Sequence, residues 1–289
     1  MRFIASLAFT HTSELLELAR AADECGWDGL MVSDHVVHPE RIETPYPYTP
    51  DGQPRWAASA PWSDPWVAIG AMAAVTSRVR FFTGVYVLPL RNPFVVAKAV
   101  ATAALVSGQR VTLGIGVGWM EDEFRLLEQP FRDRGARSDE MIEILRKLWT
   151  GEMVEHHGRF YDFPRLQMSP GVPERIPIYS GGLSEAALRR VGRVTDGWIS
   201  DLHTAEELRR IVGELRARRA EYGRERERLD VVAACSDAFG IDEYRRLGDA
   251  GVTHLLTMPW VFYAGGGASL GDKLDGLRRF AYEVIAKLR

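Results

Sequence analysis

The stretch Val79–Gly118, VRFFTGVYVLPLRNPFVVAKAVATAALVSGQRVTLGIGVG, decides how this chain folds. It opens with VRFFTGVYV, a run rich in β-branched and aromatic residues that reads as a buried strand. Asn92-Pro93 then supplies a capping side chain and a proline preset for the first helical turn, so a helix is predicted to end near Ser107-Gly108. RVTLGIGVG returns to the strand pattern. Strand, helix and strand in this order form a βαβ unit, whose two strands lie parallel and are joined by a right-handed crossover.

The same alternation extends in both directions. Upstream, FIASLAF (3–9) is a short apolar run, and residues 13–25 place Leu15, Leu16, Leu18, Ala19 and Ala22 on one helical stripe before Gly26. DGLMVSD (28–34) is a second strand, and Asp64-Pro65 opens a helix reaching about Thr76. Downstream, helical stretches are predicted around 119–128 and 134–149, then the strand IPIYSGG (176–182), a helix over 184–193 and the strand DGWIS (196–200). A capping box at Thr204–Glu207 starts a helix to about Tyr222. The strand LDVVAAC (229–235), a short helix (242–251), the strand VTHLLTM (252–258) and a last helix over 269–287 complete the chain. Eight strands, each followed by a helix, predict an α/β fold: a single (β/α)8 TIM barrel over residues 1–289, with an insertion before strand five. A chain of 289 residues suits that closed barrel better than an open doubly wound sheet. Two long segments exceed the minimal repeat, 36–63 after strand two and 150–175 before strand five. Catalysis in barrels occurs at the C-terminal strand ends, so the first should overhang an active site.

Composition narrows the function. Lys+Arg 36 against Asp+Glu 39 gives a net charge of −3, which offers no basic field for nucleic acid. No apolar stretch approaches the ~20 residues that cross a bilayer, so no membrane partner is expected. MRFIASLAF is too short for a signal peptide and reads as a first strand. Cys25 and Cys235 make neither a disulfide framework nor a zinc site. A reduced, cytoplasmic enzyme acting on a small molecule is the expectation.

Several groups could carry chemistry. Gly114, Gly116 and Gly118 end strand four just before a helix, where a backbone without side chains can approach a flat ring or a phosphate. The spacing is not the dinucleotide fingerprint, and a plain strand-to-helix turn is the competing reading. Ser180-Gly181-Gly182 leaves strand five into another helix and is either a simple turn or a phosphate cradle. Together the two turns outline a site for an extended phosphorylated cofactor across the strand ends. Asp34-His35 ends strand two and suits general acid/base work; neighbours on a strand diverge, so Asp34 could serve the scaffold while His35 faces the mouth. A metal site lacks partners there, and His156-His157 fits a surface hairpin, so no metal is expected. Tyr46, Tyr48, Trp56 and Trp62, with Trp260, Phe262 and Tyr263 after strand eight, are expected to wall an apolar pocket, with Gly265-Gly266-Gly267 as a lid hinge. The arginine-rich run 209–228 reads as a solvated helix face. No nucleophile elbow or P-loop is present.

The runs GWDGLMVSDHVVHP (26–39), TGVYVLPLRNPFVVAKAVATAALVSGQRVTLGIGVGWMEDEF (83–124), RGARSDEMIEILRKLWTG (134–151) and IPIYSGGLSEAALRRVGRVTDGWIS (176–200) resemble the bacterial luciferase-like monooxygenase superfamily. The pattern is most similar to its branch that uses the deazaflavin coenzyme F420, with the FMN-dependent monooxygenases as the alternative and a catalytically silent flavin-binding barrel as a third. The resemblance covers residues 1–200; the last third matches as a generic barrel. It implies a (β/α)8 barrel, hydride transfer to or from an organic substrate, and a homodimer. The superfamily's histidine beside the reactive ring corresponds to His35, preceded by Asp34, which would tune it. A non-proline cis peptide supporting the ring from behind falls within Thr83-Gly84-Val85-Tyr86 and is expected at Val85–Tyr86. Gly116, Val117, Gly118 and Trp119 correspond to the segment near the ring, and Ser180, Gly181 and Gly182 to the phosphate turn. One departure stands out. Sugar-phosphate dehydrogenases of the branch carry a glutamate directly after the strand-four glycines, where this chain has Trp119, with Glu121 two residues on. Tryptophan cannot act as that acid, so a more apolar substrate is implied.

Overall fold

A computed structural model describes residues 1–289. Arg2–Ser6 forms β1, Leu15–Cys25 α1 and Gly29–Val32 β2. Gly26, with φ 83°, ends α1 in the left-handed conformation that favours glycine. After the long 36–63 strap come α2 (Pro65–Ala73), β3 (Arg80–Thr83) and a two-residue continuation, β4 (Tyr86–Val87). The caps act as the sequence predicts: Asp64 accepts from the amides of Trp66 and Val67 at 3.0 and 2.9 Å, and Asn92 accepts from Phe94 at 2.9 Å. Then follow α3 (Pro93–Val106), β5 (Val111–Gly116), α4 (Glu121–Leu126) and α5 (Arg134–Trp149). The insertion before strand five is an antiparallel hairpin, β6 (Met153–His157) with β7 (Asp162–Gln167). Next are β8 (Ile178–Gly181), α6 (Glu185–Arg193), β9 (Gly197–His203), α7 (Ala205–Glu221) and β10 (Asp230–Cys235). The chain finishes with α8 (Ile241–Ala250), β11 (His254–Thr257), α9 (Pro259–Ala264), α10 (Leu270–Phe280), a π-turn over Ala281–Ile285 and α11 (Ala286–Leu288).

All the sheet pairings other than the hairpin are parallel. The order runs β3-β2-β1-β11-β10-β9-β8-β5, and β3 pairs with β5 through Phe81↔Val111 to close the barrel. Along each strand, alternate residues go to opposite faces. Ile4, Met31, Phe82, Tyr179, Ile199 and Val232 pack together inside the barrel. Phe3, Leu30, Phe81, Leu113, Ile178 and Val231 belong to the larger core beneath the helices. This double burial explains why the strands read as continuous apolar runs rather than alternating ones. No helix is long and apolar enough to cross a membrane.

Candidate active site at the barrel mouth

Asp34 and His35 leave the C-terminal end of β2 and diverge. Asp34 is buried. Its Oδ2 accepts from the Val87 amide at 2.9 Å, and its two oxygens take Arg91 Nη1 and Nη2 at 2.5 and 2.8 Å. Burial pushes this carboxyl above the usual range, and the paired guanidinium opposes that rise. Arg91 also lies 4.4 Å over the Tyr86 ring. Asp34 therefore fastens the exit of β2 to the end of β4, and it makes no hydrogen bond to His35.

The charged partner of His35 is Glu123 of α4, which is 1% exposed. Its Oε2 lies 3.0 Å from His35 Nδ1, and its Oε1 accepts from the amides of Val36 and Val37 at 2.6 and 3.4 Å. Burial alone would raise the Glu123 carboxyl, but the His35 bond and the two amides outweigh it and hold it below its ordinary range. An ionised Glu123 accepts only, so Nδ1 carries the hydrogen and Nε2 is the ring atom left to exchange a proton.

Aromatic rings surround the imidazole. Trp62, Trp56 and Trp119 lie 4.9, 5.3 and 6.2 Å from it between centroids. Tyr46 closes against Trp119 at 5.0 Å and Trp56 at 5.1 Å, and Phe9 against Trp62 at 5.4 Å. Most of these pairs meet edge to face, the arrangement ring quadrupoles favour. The strap 36–63 supplies most of the wall. It is pinned across the mouth by Arg55, which holds Asp201 of β9 through two bonds of 2.9 and 3.0 Å, and by Asp122, which accepts from the amides of Glu43 and Thr44. The second expected cluster makes no ring contact with the first. Trp260 packs beneath Gly276 of α10, Phe262 is exposed against Phe239, and the Tyr263 hydroxyl donates to Glu283.

At strand three, the cis peptide lies at Gly84–Val85, one bond before the expected Val85–Tyr86. Gly84 is the position with no side chain to seat: a Cβ there would lie 2.0 Å from Met31 Sδ. The four residues of this bulge take different roles. The Thr83 hydroxyl donates to the Gly114 carbonyl at 2.7 Å and accepts from the Gly114 amide at 2.9 Å, so it ties β3 to β5. Tyr86 packs against Trp66 of α2, and burial pushes its hydroxyl up to about 12. Val85 reaches Gly116 and Gly181: a Cβ on Gly116 would come within 2.6 Å of its Cγ2, and one on Gly181 within 3.1 Å of its Cγ1. Strands three, four and five thus meet in a small flat platform. Gly118, with φ 82°, turns the chain through Val117 and Trp119 into α4, and a Cβ there would strike Phe124 at 2.6 Å.

The Ser180-Gly181-Gly182 turn leads into α6, capped by Ser184. Gly182 has φ 95°, and its carbonyl accepts from Trp198 Nε1 at 3.0 Å. The amides of Gly182, Leu183 and Ser184 make no hydrogen bond within the chain. Three buried polar atoms on elements of this rim are also without partners: Thr10 Oγ1, Trp56 Nε1 and Thr257 Oγ1. Free amides at a helix start together with a platform of two glycines and the small Val85 side chain suit a flat, phosphorylated cofactor. His156 and His157 do not join the site. They sit on the hairpin, one buried against Glu140 at 3.1 Å and the other exposed beside Asp162.

The profile of the luciferase-like monooxygenase family matches residues 2–248. The chain belongs to that family. An uncharacterized protein of Mycobacterium tuberculosis (strain H37Rv) is 37% identical to this luciferase-like chain over 290 residues, covering 100% of both. An F420-dependent glucose-6-phosphate dehydrogenase of Nakamurella multipartita is 34% identical over 242 residues, 82% of this chain and 67% of that protein. Among solved structures, the coenzyme F420-dependent tetrahydromethanopterin reductase from Methanopyrus kandleri shares the fold with a TM-score of 0.76 at 16% identity, covering 100% of this chain and 99% of that one.

Within this luciferase-like barrel, Glu123, Arg91 and Arg55 are the site residues that sequence reasoning missed. Glu123 had one available signal, its position in the acidic MEDEF segment opening the helix after the strand-four glycines. Three acids compete there, and the fold divides them: Glu121 is exposed, Asp122 anchors the strap, and Glu123 reaches His35. Trp119 removes a carboxylate from one position, and Glu123 supplies one to the histidine from another.

Proposed function

We propose that this luciferase-like protein transfers a hydride between coenzyme F420 and an apolar, ring-shaped organic substrate. The observation that carries the reading is the His35–Glu123 pair set inside an aromatic wall, at the same rim as the Val85–Gly116–Gly181 platform and the free amides of α6. The 34% identity to an F420-dependent dehydrogenase supports the choice of cofactor. When bound, the deazaflavin gives or accepts the hydride at its C5. The chain's own residues do the rest. The Gly182–Ser184 amides bind phosphate, the platform of Val85, Gly116 and Gly181 backs the ring, and Trp56, Trp62 and Trp119 exclude water and select flat apolar substrates. His35 Nε2 moves the accompanying proton, while Glu123 holds the imidazole in one orientation. Asp34 is a positioning residue acting through Arg91 and the β4 backbone.

Paired titration of the protein with F420 and with FMN tests the reading. Micromolar F420 binding with much weaker FMN binding is expected, and His35→Ala is expected to keep that binding while turnover falls by roughly 10²-fold or more. A preference for FMN, with substrate-dependent oxygen uptake, would replace the reading with that of an FMN monooxygenase.

A further inference from the structure

A cleft of about 740 Å3 opens at the end of the barrel opposite His35. Its lining comes from the starts of the strands: Arg2 opens β1, Arg80 opens β3, Asp230 opens β10 and His254 opens β11. In a barrel this face ordinarily serves stability alone. Here it carries five arginines against three carboxylates. Two of the arginines are matched within the cleft, Arg228 with Asp230 at 2.7 Å and Arg289 with Asp28 at 3.0 Å. The other three have no carboxylate in ion-pair contact; Arg78 donates to the Asp23 carbonyl, which leaves the Arg2 and Arg80 guanidinium groups without a partner. Burial makes the Arg80 charge harder to hold, and the neighbouring Arg2 adds to the difficulty.

The cleft wall is polar and incomplete as well. The Tyr179 hydroxyl donates to Asp230 Oδ2 at 2.7 Å. His254 is 1% exposed; its Nδ1 lies 2.7 Å from Thr253 Oγ1, and its Nε2 has no partner. Buried polar atoms without partners, and like charges held together, both cost free energy that an apolar barrel base would avoid.

We propose that the base of the barrel is a second binding site, for a small doubly charged oxyanion of the phosphate or phosphate-ester class, gripped by Arg2 and Arg80 with His254 beside it. Five arginines against three carboxylates leave two positive charges for two negative ones, and the planar forks of Arg2 and Arg80 fit tetrahedral oxyanions. The cleft is larger than a bare phosphate, so an ester's organic part has room beside Tyr179 and Phe82.

Calorimetric titration of the full chain with inorganic phosphate and, separately, with glycerol 3-phosphate tests this. Saturable binding of one anion per chain is expected, weakened roughly ten-fold or more by Arg80→Met and by Arg2→Gln. Arg2 is exposed, so Arg2→Gln gives a readout even where Arg80→Met impairs folding. Tighter binding of the ester would show that its organic part occupies the cleft; equal binding would identify free phosphate as the ligand. The proposal is overturned by the absence of saturation in the millimolar range. It is equally overturned by unchanged binding in Arg2→Gln and in folded Arg80→Met, which would place the anion at the mouth.

Discussion

His35 and Asp34 are adjacent in sequence, yet each has its own charged partner, 88 and 57 residues away respectively. Glu123→Gln keeps the size of the side chain but removes its charge, and it leaves the His35 bond and two amide bonds weakened. A loss of about 1–3 kcal/mol at neutral pH is expected from urea denaturation. The pH dependence follows from the direction of the shift. Because the folded Glu123 carboxyl sits below its unfolded value, the stability it adds is complete above the ordinary glutamate range and is lost as pH falls through the folded value. The variant should therefore lose less stability on acidification than the wild type; parallel curves would refute the assignment. Arg91→Met strands Asp34 as a buried carboxylate and should cost about 3–5 kcal/mol. Adding Asp34→Asn should recover part of that loss, and a strictly additive double variant would show that the pair does not act as one.

At the scale of elements, helices and strands were largely legible because their signals are local. Asp64-Pro65, Asn92-Pro93 and the Thr204–Glu207 capping box all open helices where the sequence places them. Differences appear where tertiary contacts choose. The stretch around 119–128 shortens to Glu121–Leu126, because Gly118 and Trp119 turn into the mouth. The final helix changes pitch at Ala281–Ile285, and an extra helix, α9, carries the aromatics after β11. The strap 36–63 has no strand or helix to bear its weight and depends on a few side-chain ties. Arg55–Asp201 is partly exposed and is worth about 0.2–1 kcal/mol. Asp201→Ala should leave the global melting transition nearly in place while raising the rate of proteolysis or amide exchange within the strap about two- to five-fold. Unchanged strap protection would mean that the aromatic packing alone holds it.

For the whole molecule, closure of the barrel joins the first and last strands through Arg2↔His254, and one continuous core runs from Phe3 to Ile285. The family model reaches residue 248, beyond the quoted motifs that end at residue 200, and the strands after those motifs complete the same sheet as the region carrying them. A single calorimetric transition is expected, with equal calorimetric and van't Hoff enthalpies. Two resolved transitions would show that the last third folds separately. What the sequence determined by itself is whatever follows from short-range rules: strand and helix periods, their alternation, the caps, and the placement of glycine turns at one rim. Eight such repeats leave few topologies besides the barrel, because parallel neighbours and right-handed crossovers prune the rest. Only the tertiary structure decided which carboxylate meets His35, which aromatic rings close around it, and that Val85 of its bulge lies against Gly116 and Gly181. Those outcomes depend on contacts between residues tens of positions apart, whose distance and direction are set by strand register and helix packing and are not encoded in local periodicity.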